Sequence, residues 1–364
     1  MSRRQLLLNP GPVTLSEGVR KALANGDCCH REPEFARLTR EVLAGLESVY
    51  DSANHVAVMI SGSGTCSVEA MLASLAPGMT TTLVVANGVY GERMAAMLEA
   101  QGKPFSLMKG PWLEALDLQA VENRLRQDDQ ITHVVSVHHE TTTGRLNDID
   151  ALGHLCRHLD RQLLLDAVSS FGAEDIRFDD WNLAALAGTA NKCLHGAPGI
   201  SFVLVRRCLM ADKSSQANSI YLDLYKYFGM QQETGFSPFT PAVHAVFALR
   251  AALDELEQSG GWEARRSNYL ARSGEVAAVL ENAGVARLLP TDTTSCVLSA
   301  YRLPPGTDYE RLHDALKKED IVIYAGQGSL GSDIFRISCM GEIDGDDMLR
   351  LTGALSKHIR NPGS

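Results

Sequence analysis

The chain alternates short, wholly apolar runs with longer stretches in which apolar residues recur every three or four positions. HVAVMI at 55–60 is apolar after His55, the pattern of a strand buried on both faces. VEAMLASLA at 68–76 then reads as a helix, TTLVVAN at 81–87 as a strand, and GERMAAMLEAQG as a helix closed by Gly102. ITHVVSVHH at 131–139 is a further strand, IDALGHLCRHL a helix, and LLLD at 163–166 and GISFVLVRR at 199–207 two more strands. Apolar strands separated by helices predict an α/β fold whose mainly parallel sheet is covered on both faces. From His244 onward the pattern changes to two long helices joined near Gly260-Gly261. SCVLSAY, a helix near YERLHDALKKED, IVIYAG, DIFRISC and a final helix follow. The expected division is an N-terminal segment 1–20, a large domain 21–255 and a smaller C-terminal α/β domain 256–364.

Composition narrows the function classes. The length of 364 residues exceeds what one small core needs, and 45% hydrophobic with 21% charged residues is ordinary for a soluble globular chain. A net charge of -10 argues against a general nucleic-acid binder, which needs a basic face. It leaves an anionic substrate open, because a pocket can be locally basic in an acidic protein. The eight cysteines are scattered, with no CxxC pair and no Cys/His zinc spacing, so no metal site is expected. Reduced thiols in the cytoplasm are the expected state. In MSRRQLLLNPGP the apolar run ends at a proline, too early for a signal peptide or membrane anchor, and later apolar runs are also too short to span a bilayer.

Five segments could carry chemistry. SGSGTCSVEA at 61–70 lies between a strand and a helix, where Gly62 and Gly64 permit a tight turn. Unpaired helix N–H groups and the hydroxyls of Ser63 and Thr65 could cup a phosphate there. No lysine follows the glycines and a third glycine is missing, so this is neither a Walker loop nor a dinucleotide fingerprint. Asp166 ends an apolar strand at the carboxyl edge of the sheet, where open α/β folds bind ligands, and its charge needs a partner such as a protonated ring nitrogen. Lys192, in TANKCLHGAPG, becomes a nucleophile if it is desolvated. Thr141, in HHETTTG, could reach a ring oxygen, and Arg336, in DIFRISCMG, could grip a carboxylate or phosphonate. Each has a plainer alternative: a bare turn, a capping Asp, a surface Lys, a Thr-rich turn, a structural ion pair.

Taken together, LLLNPGPV, SGSGTCSVEA, NGVYGERM, HHETTTG, LLLDAVSSFG, NKCLHGAPG and FRISCMGE resemble the class V aminotransferase family. This family has the fold type I of pyridoxal-phosphate enzymes, and the likeness runs from about residue 6 to 342. It implies a seven-stranded, mainly parallel sheet in the large domain and pyridoxal 5'-phosphate carried as a Schiff base on Lys192. Lys192 would shuttle the substrate proton and Asp166 would pair with the pyridinium nitrogen. Ser63, Gly64 and Thr65 would hold the phosphate, Tyr90 would stack on the ring, and Thr141 would approach the ring hydroxyl. Thr240, in SPFTPAVHAV, resembles the threonine that reaches the neighbouring subunit's phosphate, which implies a homodimer. Arg336 matches the arginine that grips the substrate's acidic group.

The partners would be a small amine and an oxo acid. Within the family the segments come nearest to the phosphonate-using branch. This implies transfer from 2-aminoethylphosphonate to pyruvate, giving phosphonoacetaldehyde and L-alanine. CCHREPEF at 28–35 departs toward the alanine–glyoxylate branch, and Arg31 within it could be an added anion contact. An alanine or serine aminotransferase using glyoxylate or pyruvate therefore remains the alternative. A cysteine desulfurase-like lyase, which would need a mobile Cys296 or Cys339, is the remoter one.

Overall fold

A computed structural model describes residues 4–50, 52–211, 215–304 and 306–359. Its centre is one sheet built from β1 (His55–Ser61), β2 (Thr81–Ala86), β3 (Phe105–Lys109), β4 (Ile131–Val137), β5 (Gln162–Asp166), β6 (Leu183–Thr189) and β7 (Ile200–Arg206). The spatial order is β1-β7-β6-β5-β4-β2-β3, and β7 alone runs antiparallel to its neighbours.

The helices that matter for the site are α1 (Pro33–Glu47), α2 (Gly64–Leu75), α3 (Val89–Ala100), α4 (Ile149–His158), α5 (Val243–Gln258), α6 (Gly261–Asn282) and α7 (Gly345–His358). The alternation of β1 shows why helices must cover both faces. Val56, Val58 and Ile60 pack with Val68, Met71 and Leu72 of α2 and Met94 of α3. Ala57 and Met59 between them join Leu43 and Leu46 of α1, Leu152 of α4 and Leu249 of α5.

After α6 the chain forms a smaller sheet of β8 (Leu298–Arg302), β9 (Tyr324–Ala325) and β10 (Ile334–Ser338), all antiparallel, with β10 in the middle. Tyr301, Phe335 and Ile337 share a core with Val276 and Leu280 of α6 and Leu351 and Leu355 of α7. Leu6 and Leu8 are buried in the same core, and Leu6–Leu7 pairs in parallel with Ile321–Val322. The segment leading to the Pro10-Gly11 turn is thereby tied to the C-terminal unit.

Two strands go beyond the apolar pattern, and one helix starts early. β3 (FSLMK) is a half-exposed edge strand too short to establish a period. β6 (LAALAGT) is rich in alanine, a helix former, yet it lies fully buried between β5 and β7. Burial overrides propensity there. The helix expected over 68–76 begins at Gly64, because its first turn (GTCS) carries no apolar period.

Candidate active site

Strand ends and one turn converge at the carboxyl edge of the sheet on a cavity of about 220 Å³. Its lining includes Gly11, Ser63, Thr65, Tyr90, His139, Asp166 and Lys192. Asp166 ends β5 and is 7% exposed. One carboxylate oxygen accepts the Val168 N–H at 2.9 Å. Burial pushes its pKa up to about 6, against the pull of that N–H, of Lys192 and of Arg93. A carboxylate in this position is short of a cation.

Lys192 follows β6 and sends its ammonium to the Pro10 carbonyl. Desolvation lowers its pKa to about 8, and Arg336 adds to the fall while Cys193 and Asp166 oppose it. Gly11, at φ +109°, is required by this approach, since a Cβ there would stand 2.6 Å from Lys192 Cδ.

Ser63 caps α2 without using its side chain, so its hydroxyl is left for the cavity beside the first N–H groups of the helix. A Cβ on Gly64 would meet Val168 Cγ1 at 2.6 Å, which brings the helix start close against the chain that follows Asp166.

The HHETTTG segment supplies the next wall. Glu140 is fully buried and caps α3, accepting the N–H groups of Tyr90 at 3.2 Å and Gly91 at 3.4 Å. It also accepts the Thr142 hydroxyl at 2.6 Å. That carboxylate fills the space of a side chain at Gly88, where a Cβ would fall 2.2 Å from Glu140 Cδ. The cap sets the angle at which α3 presents Tyr90 and Arg93, the guanidinium of Arg93 lying 4.8 Å from the centre of the Tyr90 ring.

His139 Nδ1 lies 3.0 Å from the Ser169 carbonyl, and burial lowers the ring's pKa to about 4. The neutral ring therefore donates from Nδ1 and turns a bare Nε2 acceptor, buried and without a partner among the described residues. The Thr141 hydroxyl is buried and unpartnered in the same way.

Arg336 reaches the site from β10. It is 2% exposed, donates from Nη1 to the Thr141 carbonyl at 2.7 Å, and influences Lys192 electrostatically. Burial lowers its pKa from the ordinary value, with Tyr90 and Tyr324 opposing that fall. The structure thus brings together Ser63, Gly64, Thr65, Tyr90, Thr141, Asp166, Lys192 and Arg336. Thr240 and Arg31 lie elsewhere: Thr240 is exposed on the stretch leading into α5, and exposed Arg31 rests 5.8 Å from the Phe236 ring centre.

Sequence reading passed over His139, Glu140 and Arg93. Two adjacent histidines at the end of an apolar strand must face opposite ways, which was the available signal for His139. Nothing in the sequence marks Glu140 as a helix cap from a distant loop. A larger cavity of about 420 Å³, lined by His138, Arg145 and Asp150 among others, holds none of the expected site residues. Among the described residues no group of three or more His, Cys, Asp or Glu side chains is placed to hold a metal, and no helix is long and apolar enough to cross a membrane.

The aminotransferase class-V family model matches residues 20–341. The chain belongs to the class-V aminotransferases. Similar to this class-V aminotransferase are the 2-aminoethylphosphonate–pyruvate transaminase of Burkholderia ambifaria, 34% identical over 98% of this chain and 96% of the relative, and that of Vibrio vulnificus, 35% identical over 98% of each. An alanine–glyoxylate aminotransferase from Nostoc sp. has the same fold, with a TM-score of 0.90 at 25% identity over 99% of this chain and 96% of that one. The cofactor of this class-V aminotransferase is pyridoxal 5'-phosphate. Its residues fit that group: a buried carboxylate whose pKa burial raises, a helix start whose cap hydroxyl is free for a ligand, and two buried polar atoms without partners among the described residues.

Proposed function

We propose that the chain transfers the amino group of 2-aminoethylphosphonate to pyruvate, giving phosphonoacetaldehyde and L-alanine. The carrying observation is the buried Arg336 guanidinium beside Lys192, in a chain about a third identical along its length to transaminases of that name. Lys192 would carry the cofactor, Asp166 would keep its ring nitrogen protonated, and Ser63, Gly64 and Thr65 would hold its phosphate. Tyr90 would lie against the ring and Thr141 would meet the ring hydroxyl. When bound, pyridoxal phosphate supplies an electron sink for the charge left on the substrate carbon.

The protein's own work is then positional and protolytic. Arg336 binds the phosphonate of the donor or the carboxylate of the acceptor, so one site serves both halves of the reaction in turn. Lys192 Nζ, once the donor amine has displaced it from the cofactor, would take the proton from the amino-bearing carbon, and the desolvation that lowers its pKa to about 8 in the empty site favours the neutral amine. Asp166 at the floor resists protonation once a cation faces it.

The remaining elements of the reading are a homodimer in the cytoplasm and a division into segments 1–20, 21–255 and 256–364. In that dimer Thr240 reaches the phosphate of the other subunit's cofactor. Arg31 travels with it, because its Nη2 lies 3.5 Å from the Pro238 carbonyl, and it would add an anion contact at the shared site.

A desulfurase reading finds little support. Cys296 and Cys339 are 3% and 2% exposed, and burial pushes the Cys339 thiol up to about 12. The test is product analysis with purified enzyme, 2-aminoethylphosphonate and pyruvate. Alanine and phosphonoacetaldehyde in equal amounts are expected. Alanine or serine deamination with glyoxylate, and no aldehyde from the phosphonate, would move the enzyme to the alternative branch.

A further inference from the structure

Arg336 has one edge left for a ligand. Its Nε donates to the Ala325 carbonyl at 2.8 Å, and Nη1 donates to the Thr141 carbonyl at 2.7 Å. Nη1 also faces Oε1 of Gln327 at 3.4 Å. Nη2 makes no hydrogen bond among the described residues. An oxyanion meets a guanidinium through two parallel N–H bonds, so it must approach the Nη1–Nη2 edge. The Gln327 amide oxygen lies 3.4 Å from Nη1, one of the two nitrogens of that edge.

Gln327 lies in GQGSLG, residues 326–331, between β9 and β10. The next residue, Gly328, has φ +55° and packs on Trp112, so that a Cβ would stand 2.7 Å from Trp112 Cη2. Trp112 in turn donates its Nε1–H to Glu92 at 2.8 Å, two positions along α3 from Tyr90, and Glu92 pairs with Lys109 at 3.0 Å. The helix that lines the cofactor cavity therefore holds the loop that carries Gln327.

We propose that Gln327 is a specificity-determining residue, which binds the third oxygen of the phosphonate donor while Arg336 binds the other two. This deepens the function proposed above and rests on it. A carboxylate has two oxygens and is satisfied by the Arg336 edge. A phosphonate brings a third strong acceptor, which needs another donor. When a substrate oxygen takes the place of Oε1 on Nη1, the planar amide turns over and presents Nε2–H. The Trp112 contact keeps the amide within reach during that exchange.

The test compares two donors on the holoenzyme, 2-aminoethylphosphonate and L-alanine, each added without oxo acid while cofactor absorbance is followed against donor concentration. Gln327→Met keeps the length of the side chain and removes the donor. The half-saturating concentration of 2-aminoethylphosphonate is expected to rise about tenfold, the effect of losing one hydrogen bond to a charged group. The half-saturating concentration of alanine should shift less than that of the phosphonate. Trp112→Ala, which releases the loop and leaves the amide intact, should shift the same constant in the same direction. An unchanged phosphonate constant in Gln327→Met, or equal shifts for both donors, overturns the proposal. A wild-type enzyme that does not react with 2-aminoethylphosphonate overturns the functional reading first, and Gln327's role with it.

Discussion

The two ends of the active site are built differently. At the cofactor end, Asp166, His139 and Thr141 are buried: His139 Nε2 and the Thr141 hydroxyl have no partner among the described residues, and burial raises the pKa of Asp166. At the substrate end, Arg336 is buried too, yet the strand end and loop on one side of it are more open. Tyr324, 5.6 Å beneath the guanidinium, is 48% exposed, and Gln327 sits in a glycine-rich loop. The buried end is tied into the sheet, where a change disturbs the core. The loop end can change with little effect on stability. In the proposed function, chemistry is held by the first and substrate choice by the second.

The largest effect should come from the buried end. Lys192→Ala is expected to reduce transamination by a factor of about 10⁴ or more with the fold retained. Borohydride reduction and peptide mass mapping should place the cofactor on Lys192 in the wild type and nowhere in the variant. Near-normal turnover in the variant without added amine would refute the assignment.

Arg336→Ala should separate the two ends. Loss of a charged partner at a buried site costs roughly 2–5 kcal/mol in substrate binding. Cofactor affinity, measured by fluorescence titration, should barely move. Equal losses in both would make Arg336 a structural arginine holding Thr141.

Asp166 gives a pH test of the unsatisfied floor. In the cofactor-free protein its pKa is raised from 3.8 to about 6. A raised acid carries no penalty while protonated in both states, and loses stability as pH rises through its folded value. The loss runs from about pH 4 to above 6 and amounts to about 3 kcal/mol. Asp166→Asn should match the wild type near pH 4 and exceed it at pH 8 in urea unfolding of the cofactor-free protein. Lys192 acts in the opposite sense, its lowered pKa removing stability as pH falls from its ordinary value of 10.5 to about 8. Parallel stability curves for the wild type and Asp166→Asn would contradict the unpaired carboxylate.

The smallest effect is expected at Thr141. Its hydroxyl has no partner among the described residues, so Thr141→Val should leave the cofactor-free protein within about 1 kcal/mol of wild-type stability while weakening cofactor retention several-fold. A large loss of stability would show that the hydroxyl serves the core.

Much of the cofactor end could be named from the sequence only by taking the segments together, since each alone had a plainer alternative. Asp166 interrupts an apolar run, Lys192 lies between a buried stretch and a Gly/Pro turn, and SGSGT breaks strand from helix. Glu140 and Arg93 were not legible, since a cap supplied from another loop and a helix face turned toward a ring both depend on tertiary placement. β6 was hidden by its alanines. Gln327 could not be read at all, because its meaning lies in the 3.4 Å to Arg336 and in the Trp112 contact of its neighbour. Arg31 and Thr240, named from the family resemblance, lie exposed on the single chain, and only the proposed dimer would bring them to a site.

The most direct test of the account is a half-reaction screen of the purified yellow protein. 2-Aminoethylphosphonate, alanine, serine and glutamate are added singly, without oxo acid, and the visible absorbance of the bound cofactor is followed. Rapid loss of the visible band with 2-aminoethylphosphonate and with alanine, and none with serine, is the predicted result. Loss with alanine or serine and none with the phosphonate would contradict it.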